Sequence, residues 1–186
     1  MPIPKRLHQY VHTEKQRHFP KDFLSGWQEY ETWEQATVGQ SGKAQRVFEI
    51  TAEDIVAYNV ACGETDPLMV DIEHAAKFSP TGQVLQHPIF VTAIAFYSLG
   101  ESGIGSWIRT PGARNPHQDI EVFEPFRYGE RIATTVTTHD KFTQRGKPYL
   151  QIKLDFHNEK GVLKSRWYCS LILPASRAEI ARFANA

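Results

Sequence analysis

An α+β fold, with an antiparallel sheet curled about one buried helix, is predicted by three features of this sequence. The last third alternates apolar and polar residues at a period of two. A strongly apolar stretch, PIFVTAIAFYSLG, stands ahead of it, and a shorter helix with clear end signals precedes both. The alternation is cleanest in KPYLQIKLDFHNE, where Leu150, Ile152, Leu154 and Phe156 share one face and Gln151, Lys153, Asp155 and His157 the other. Such a sheet is apolar on one side and needs a covering layer. The segment Pro88 to Leu99 is the element apolar enough all round to provide it, with Pro88 at a first helical position and Gly100 as C-terminal cap, and it reads as a fully buried helix.

The other elements follow in chain order. Residues 1–26 are rich in Lys, Arg, His and Gln with three prolines, a composition that resists packing alone and reads as an arm preceding a domain at 27–186. Trp27, Tyr30 and Trp33 just beyond it are aromatics suited to docking on a neighbouring subunit, the alternative being a frayed terminus. QRVFEI reads as a short strand. TAEDIVAYNVACG reads as a helix capped by Thr51, with Glu53 and Asp54 at its positive end, Ile55, Val56, Tyr58 and Val60 as its apolar side, and Gly63 at its exit. GETDPLMVD is a loop, and His74 to Phe78 a short helical stretch. HQDIEVFEPF, ERIATTVTTHDKF, KPYLQIKLDFHNE and GVLKSRWYCSLILP are four strands expected in meander order, followed by a short surface helix in ASRAEIARFANA.

Composition narrows the function. The 186 residues carry 21 Lys plus Arg against 21 Asp plus Glu, with 41% hydrophobic, so the balance supplies no broad electrostatic footprint for nucleic acid or an acidic membrane. Cys62 and Cys169 stand alone, without a CxxC or Cys/His cluster. Both read as reduced, buried thiols, with no disulfide framework, no structural metal and no cofactor indicated. The polar N-terminus and the absence of a long apolar run predict a cytoplasmic protein with no membrane segment. No nucleophile elbow, phosphate-binding glycine loop, dinucleotide fingerprint or zinc-protease helix occurs.

A strand, a capped helix, a buried helix and then a four-stranded meander together resemble the hotdog fold. Three segments, FEITAEDIVAYNVACGETDPLMVD, QHPIFVTAIA and HQDIEVFEPFRYGERI, are similar to the MaoC-like dehydratase and (R)-specific enoyl-CoA hydratase family. The resemblance spans roughly Phe48 to Leu173. In active members the loop reads Gly-Asp-x-Asn-Pro-Leu-His, then an apolar residue and Asp, and its Asp and His form a dyad that handles water and protons across an enoyl thioester. Here Glu64 stands at the Asp position, Asp66 at the Asn position and Met69 at the His position, with Asp71 retained. A thioether neither donates nor accepts a proton at a useful pKa, so the dyad is expected to be degenerate. The His-Gly that opens the family's central helix is His87-Pro88 here, and proline has no N–H with which to polarise a carbonyl. HPIF in turn is similar to a word of the N-terminal, catalytically degenerate hotdogs that pair with an intact one.

The resemblance thus implies a protein acting on, or binding, 2-enoyl or 3-hydroxyacyl thioesters such as acyl-CoA, as a homodimer or in a hetero-oligomer whose other hotdog subunit supplies the active site. Glu64 and His87 are the candidate catalytic residues. Asp66, Met69, Asp71, Pro88 and Phe90 are candidates for substrate binding, and Arg109 and Arg114 for the phosphates of CoA. Three alternatives stay open: a self-sufficient hydratase using Glu64 and His87, a non-catalytic acyl-CoA-binding subunit, and a hotdog thioesterase.

Overall fold

The computed structural model describes residues 11–18, 26–100 and 103–185. Six strands form an antiparallel sheet: β1 (Ser41–Lys43), β2 (Phe48–Glu49), β3 (Arg114–Val122), β4 (Arg131–Gln144), β5 (Lys147–His157) and β6 (Leu163–Ile172). The helices are α1 (Glu14–His18), α2 (Ala52–Ala61), α3 (Pro67–Val70), α4 (Ile72–Phe78), α5 (Val91–Ser98) and α6 (Arg177–Ala184).

The strand order is β1-β4-β5-β6-β3, with β2 also pairing with β4. This corrects the meander. Only β4, β5 and β6 are joined as consecutive hairpins, through tight turns at Arg145–Gly146 and Asn158–Gly161. β3 crosses to the far edge, where it pairs with β6 from Val122 opposite Ser165 to Arg114 opposite Ile172. Four strands with matching alternation satisfy either order; what decides is that β1 and β2 already occupy the open edge of β4.

The alternation of β5 is realised fully. Leu150, Ile152, Leu154 and Phe156 are all buried, and with Val136, Trp167, Cys169 and Leu171 they make the sheet's half of the core. Each such side chain contributes about 1.5–3 kcal/mol on burial. The helix half is Val91, Ile94, Ala95 and Leu99. α5 is not buried all round, however: Phe96 is 38% exposed and Ile89, just ahead of the helix, 44%, while Thr92, Ala93 and Tyr97 are half-buried. A single chain covers one side of this helix and leaves the other side open.

The outer face of the sheet carries a cross-strand ion pair. Asp155 lies opposite Arg166, whose Nε donates to Oδ1 at 2.6 Å, and Lys153 Nζ stands 3.2 Å from Oδ2. Burial pushes the Asp155 carboxyl up, but the hydrogen bonds and charges of Arg166 and Lys153 together outweigh it and hold the group below its ordinary value. A carboxyl with a lowered folded value stabilises the fold above the ordinary value of 3.8 and loses that contribution as pH falls through the lowered one. Acid titration of stability is therefore expected to be shallower below that pH in Asp155→Asn than in the wild type, as followed by urea unfolding at stepped pH.

The described part of the N-terminal arm, 11–18, packs on its own chain. Lys15 Nζ meets Asp54 Oδ2 at 2.6 Å and lies over the Phe48 ring. The aromatics beyond it are likewise used internally: Tyr30 is fully buried, Trp33 Nε1 donates to the Tyr149 carbonyl at 2.9 Å, and Arg177 of α6 donates to the carbonyls of Trp27 and Tyr30. Residues 1–10 and 19–25 of the expected arm lie outside the described residues.

Candidate active site

α2 begins with a capping box. Thr51 Oγ1 accepts the Asp54 N–H, and the Asp54 carboxylate accepts the Thr51 N–H at 3.0 Å. Its buried side differs from the expected one. Asp54, Ile55, Ala57 and Asn59 are buried, whereas Val60 is 41% exposed. Gly63, at φ 86°, turns the chain out of the helix in a conformation that residues with a Cβ rarely adopt, and so delivers Glu64.

The next two sharp bends are made by aspartates. Asp66 caps α3, its Oδ1 accepting the Leu68 N–H at 2.8 Å, and Asp71 caps α4, its Oδ1 accepting the His74 N–H at 2.9 Å. Both candidate binding residues thus shape the loop. Met69 is half-buried, and the acceptor it contributes is its backbone carbonyl. Pro88 is exposed at the entry to α5. Phe90 is fully buried among the rings of Phe48, Tyr58 and Phe126, with centroids 5.5 to 6.5 Å away, so in this structure it is a core residue rather than a surface open to substrate.

The loop folds back over the mouth of α5. His87 Nε2 comes to 3.6 Å from Glu64 Oε1, each side chain being between a quarter and a third exposed. His87 Nδ1 accepts the Ile89 N–H at 3.3 Å, a bond that assigns the ring proton to Nε2, the nitrogen facing Glu64. An imidazole N–H and a carboxylate at this separation can both bond to one water lying beside them. The amide that follows Pro88 is thus engaged by His87, and the Phe90 N–H is bonded to the His87 carbonyl at 2.9 Å.

Asn59 was invisible in the sequence pattern. It is fully buried; its Nδ2 donates to the carbonyls of Met69, at 2.7 Å, and Leu85, at 2.8 Å, and its Oδ1 accepts the His87 N–H at 2.9 Å. Its own carbonyl accepts the Glu64 N–H at 3.0 Å. The signal that would have found it is the four-residue spacing from Ile55, which stacks the two on one face of α2.

The arginines stand apart from this pair. Arg109 is 3% exposed, and its Nη2 donates to the Phe96 carbonyl near the end of α5 at 3.3 Å, so it is withdrawn from any phosphate in solvent. Arg114 is exposed at the start of the edge strand β3. A cleft of about 840 Å³ lies elsewhere, between the arm, the start of α2 and Tyr97; Glu64 and His87 do not line it. Among the described residues no group of three or more His, Cys, Asp or Glu is placed to hold a metal ion, and no helix is long and apolar enough to cross a membrane.

The two thiols differ, which corrects the expectation that both are buried. Cys169 sits in β6 facing the core, where desolvation pushes it up to about 12, and Cys62 is exposed at the end of α2 beside the loop. A thiol reagent is expected to label Cys62 alone in the folded protein and Cys169 only after unfolding, as counted by mass spectrometry of the labelled chain.

No family model matches the chain. It is 29% identical over 132 residues to a UPF0336 protein of Streptomyces griseus, covering 70% of this chain and 87% of that one. Among solved structures it superposes on the R-hydratase PhaJ1 from Pseudomonas aeruginosa with TM-score 0.61 and 15% identity, covering 78% of this chain and 86% of that one. It superposes on the HadBC (3R-hydroxyacyl-ACP dehydratase) complex from Mycobacterium tuberculosis with TM-score 0.62 and 17% identity, covering 75% and 98%. An antiparallel sheet wrapped on a central helix, matched over this much of both chains, is the hotdog fold of the MaoC-like dehydratases and (R)-hydratases.

Proposed function

We propose that the chain is a MaoC-like hydratase or dehydratase component that acts on 2-enoyl or 3-hydroxyacyl thioesters, with Glu64 and His87 as its acid–base pair. The observation that carries this reading is their 3.6 Å approach at the mouth of the central helix. His87 there supplies the imidazole N–H that Met69 cannot, and holds the water while Glu64 handles the proton. In the hydration direction a water sits beside the pair, hydrogen-bonded to both the Glu64 carboxylate and His87 Nε2–H. Its oxygen bonds to C3 of the enoyl thioester as Glu64 takes its proton. The π electrons move to an enolate, and Glu64 returns the proton to C2, so that one water is added and the carboxylate is restored. The His87 N–H holds the water oxygen throughout. Dehydration is the reverse.

A second reading, in which another hotdog subunit completes the site, is favoured by the missing oxyanion donor. Pro88 has no N–H, and the two amides after it are already engaged. The open side of α5, with Phe96 and Ile89 exposed, offers a face for such a subunit.

One assay separates the readings. The purified protein is mixed with a panel of 2-enoyl-CoA thioesters, following both loss of the conjugated double bond and release of free thiol, alone and with a hotdog subunit that carries the intact Asp/His loop. Hydration by the chain alone supports the self-sufficient pair, and activity only in the mixture supports the shared site. Thiol release assigns the chain to the thioesterases instead, and no turnover in any arm sinks the enzymatic reading.

A further inference from the structure

Glu64 and His87 come from different segments, and both are tied to the same residue. The Glu64 backbone N–H is bonded to the Asn59 carbonyl at 3.0 Å, and the His87 backbone N–H to Asn59 Oδ1 at 2.9 Å. The two protons of the Asn59 side-chain amide go to the carbonyls of Met69 in the loop and Leu85 in the segment entering α5. Every polar atom of the side chain is thereby used, inside a fully buried position. A satisfied amide in such surroundings rigidifies what it joins, whereas one with a partner removed leaves a buried polar group unpaired.

We infer that Asn59 is the positioning residue of this site: it sets the separation of Glu64 from His87 by holding the backbones of both, and it fixes the loop over the mouth of α5. This rests on the pair described above as the candidate acid–base site, but it concerns their geometry and is tested apart from turnover. The α2 helix, bound to the core through Ile55, Val56 and Tyr58, supplies the rigid base. The two segments are also tied by the Leu85 N–H to the Leu68 carbonyl at 2.9 Å, but it is Asn59 that bonds the backbones of Glu64 and His87 themselves, and a misplacement of about 1 Å costs about 10²-fold in rate.

The test uses the His87 ring as a reporter. In the full-length wild type, ¹H–¹⁵N spectra of the imidazole are expected to show the Nε2–H tautomer, and the ring signals should shift when Glu64 is replaced by glutamine. In Asn59→Ala the same Glu64→Gln change is expected to leave the ring signals unmoved. Asn59→Asp keeps an acceptor for the His87 N–H but sets a carboxylate oxygen against the Met69 and Leu85 carbonyls, and serves if the alanine variant does not fold. A ring that responds to Glu64 as strongly in either folded variant as in the wild type overturns the inference. Hydrogen exchange in the wild type requires no variant: the Glu64 and His87 amides should be protected together, and exchange of either at the rate of an unstructured peptide also overturns it. Where thioester hydration is measurable, Asn59→Ala is expected to lose about 10²-fold in kcat with a smaller change in KM. Loss of the ring response in a protein that turns over no thioester sinks the hydratase reading and leaves the positioning role standing.

Discussion

Replacing Glu64 by glutamine is expected to lower thioester hydration by about 10²- to 10⁴-fold, the usual contribution of a general acid or base. The substitution keeps the size and the hydrogen-bonding reach of the side chain and removes only its capacity to take a proton from water. Because Glu64 is about one-third exposed and its fixed contact to the core runs through the backbone N–H, stability should change by no more than about 0.5 kcal/mol. Rate and folding are thus separated in one variant. His87→Gln should cost less than Glu64→Gln, since an amide N–H can still hold a water even though it lacks the ring's fixed direction. The two losses should be less than additive, as for groups that act as a unit. Steady-state kcat and KM of the two single variants and the double variant, with urea midpoints measured in parallel, decide it. Unchanged kcat in Glu64→Gln would remove Glu64 from the chemistry and turn attention to a carboxylate supplied by a partner subunit.

The largest expected loss of stability lies where β4 and β6 begin. Lys164 is only 3% exposed, and its Nζ stands 3.0 Å from Glu130 Oε1 and 3.4 Å from Glu124 Oε2. Glu130 in turn accepts from Asn158 Nδ2 at 3.1 Å and from the Arg127 N–H at 2.9 Å, so one carboxylate joins the turn before β4, the turn after β5 and strand β6. Lys164→Met keeps the length of the side chain but leaves Glu130 partly buried without its cation, and breaking a buried pair from one side costs about 3–5 kcal/mol. The double replacement Glu130→Gln with Lys164→Met removes both charges and is expected to recover most of that loss. Urea unfolding of the wild type, the two single variants and the double variant gives the coupling directly. A loss below about 1 kcal/mol in Lys164→Met would mean that solvent reaches the pair and screens it as it does a surface ion pair.

The amino-acid order alone determined the elements whose cause is local. The capping of α2 by Thr51, the exit at Gly63 and the buried row of β5 all depend on residues within about four positions of each other, where spacing and side-chain type decide the outcome. The loop and helix-entry words carry the similarity to the hotdog fold. They also named Glu64 and His87, though with no means of bringing them together. What the tertiary structure alone decided is pairwise and distant. It set β3 against β6 rather than β4, left one side of α5 open, withdrew Arg109 and Phe90 from solvent, buried Lys164 on a face that alternation marks as polar, and hung Glu64 and His87 from Asn59. Each of these depends on which segments cover one another. Hydrophobic alternation is satisfied equally by several strand orders, while a buried polar group is tolerated in only the one arrangement that supplies all of its partners.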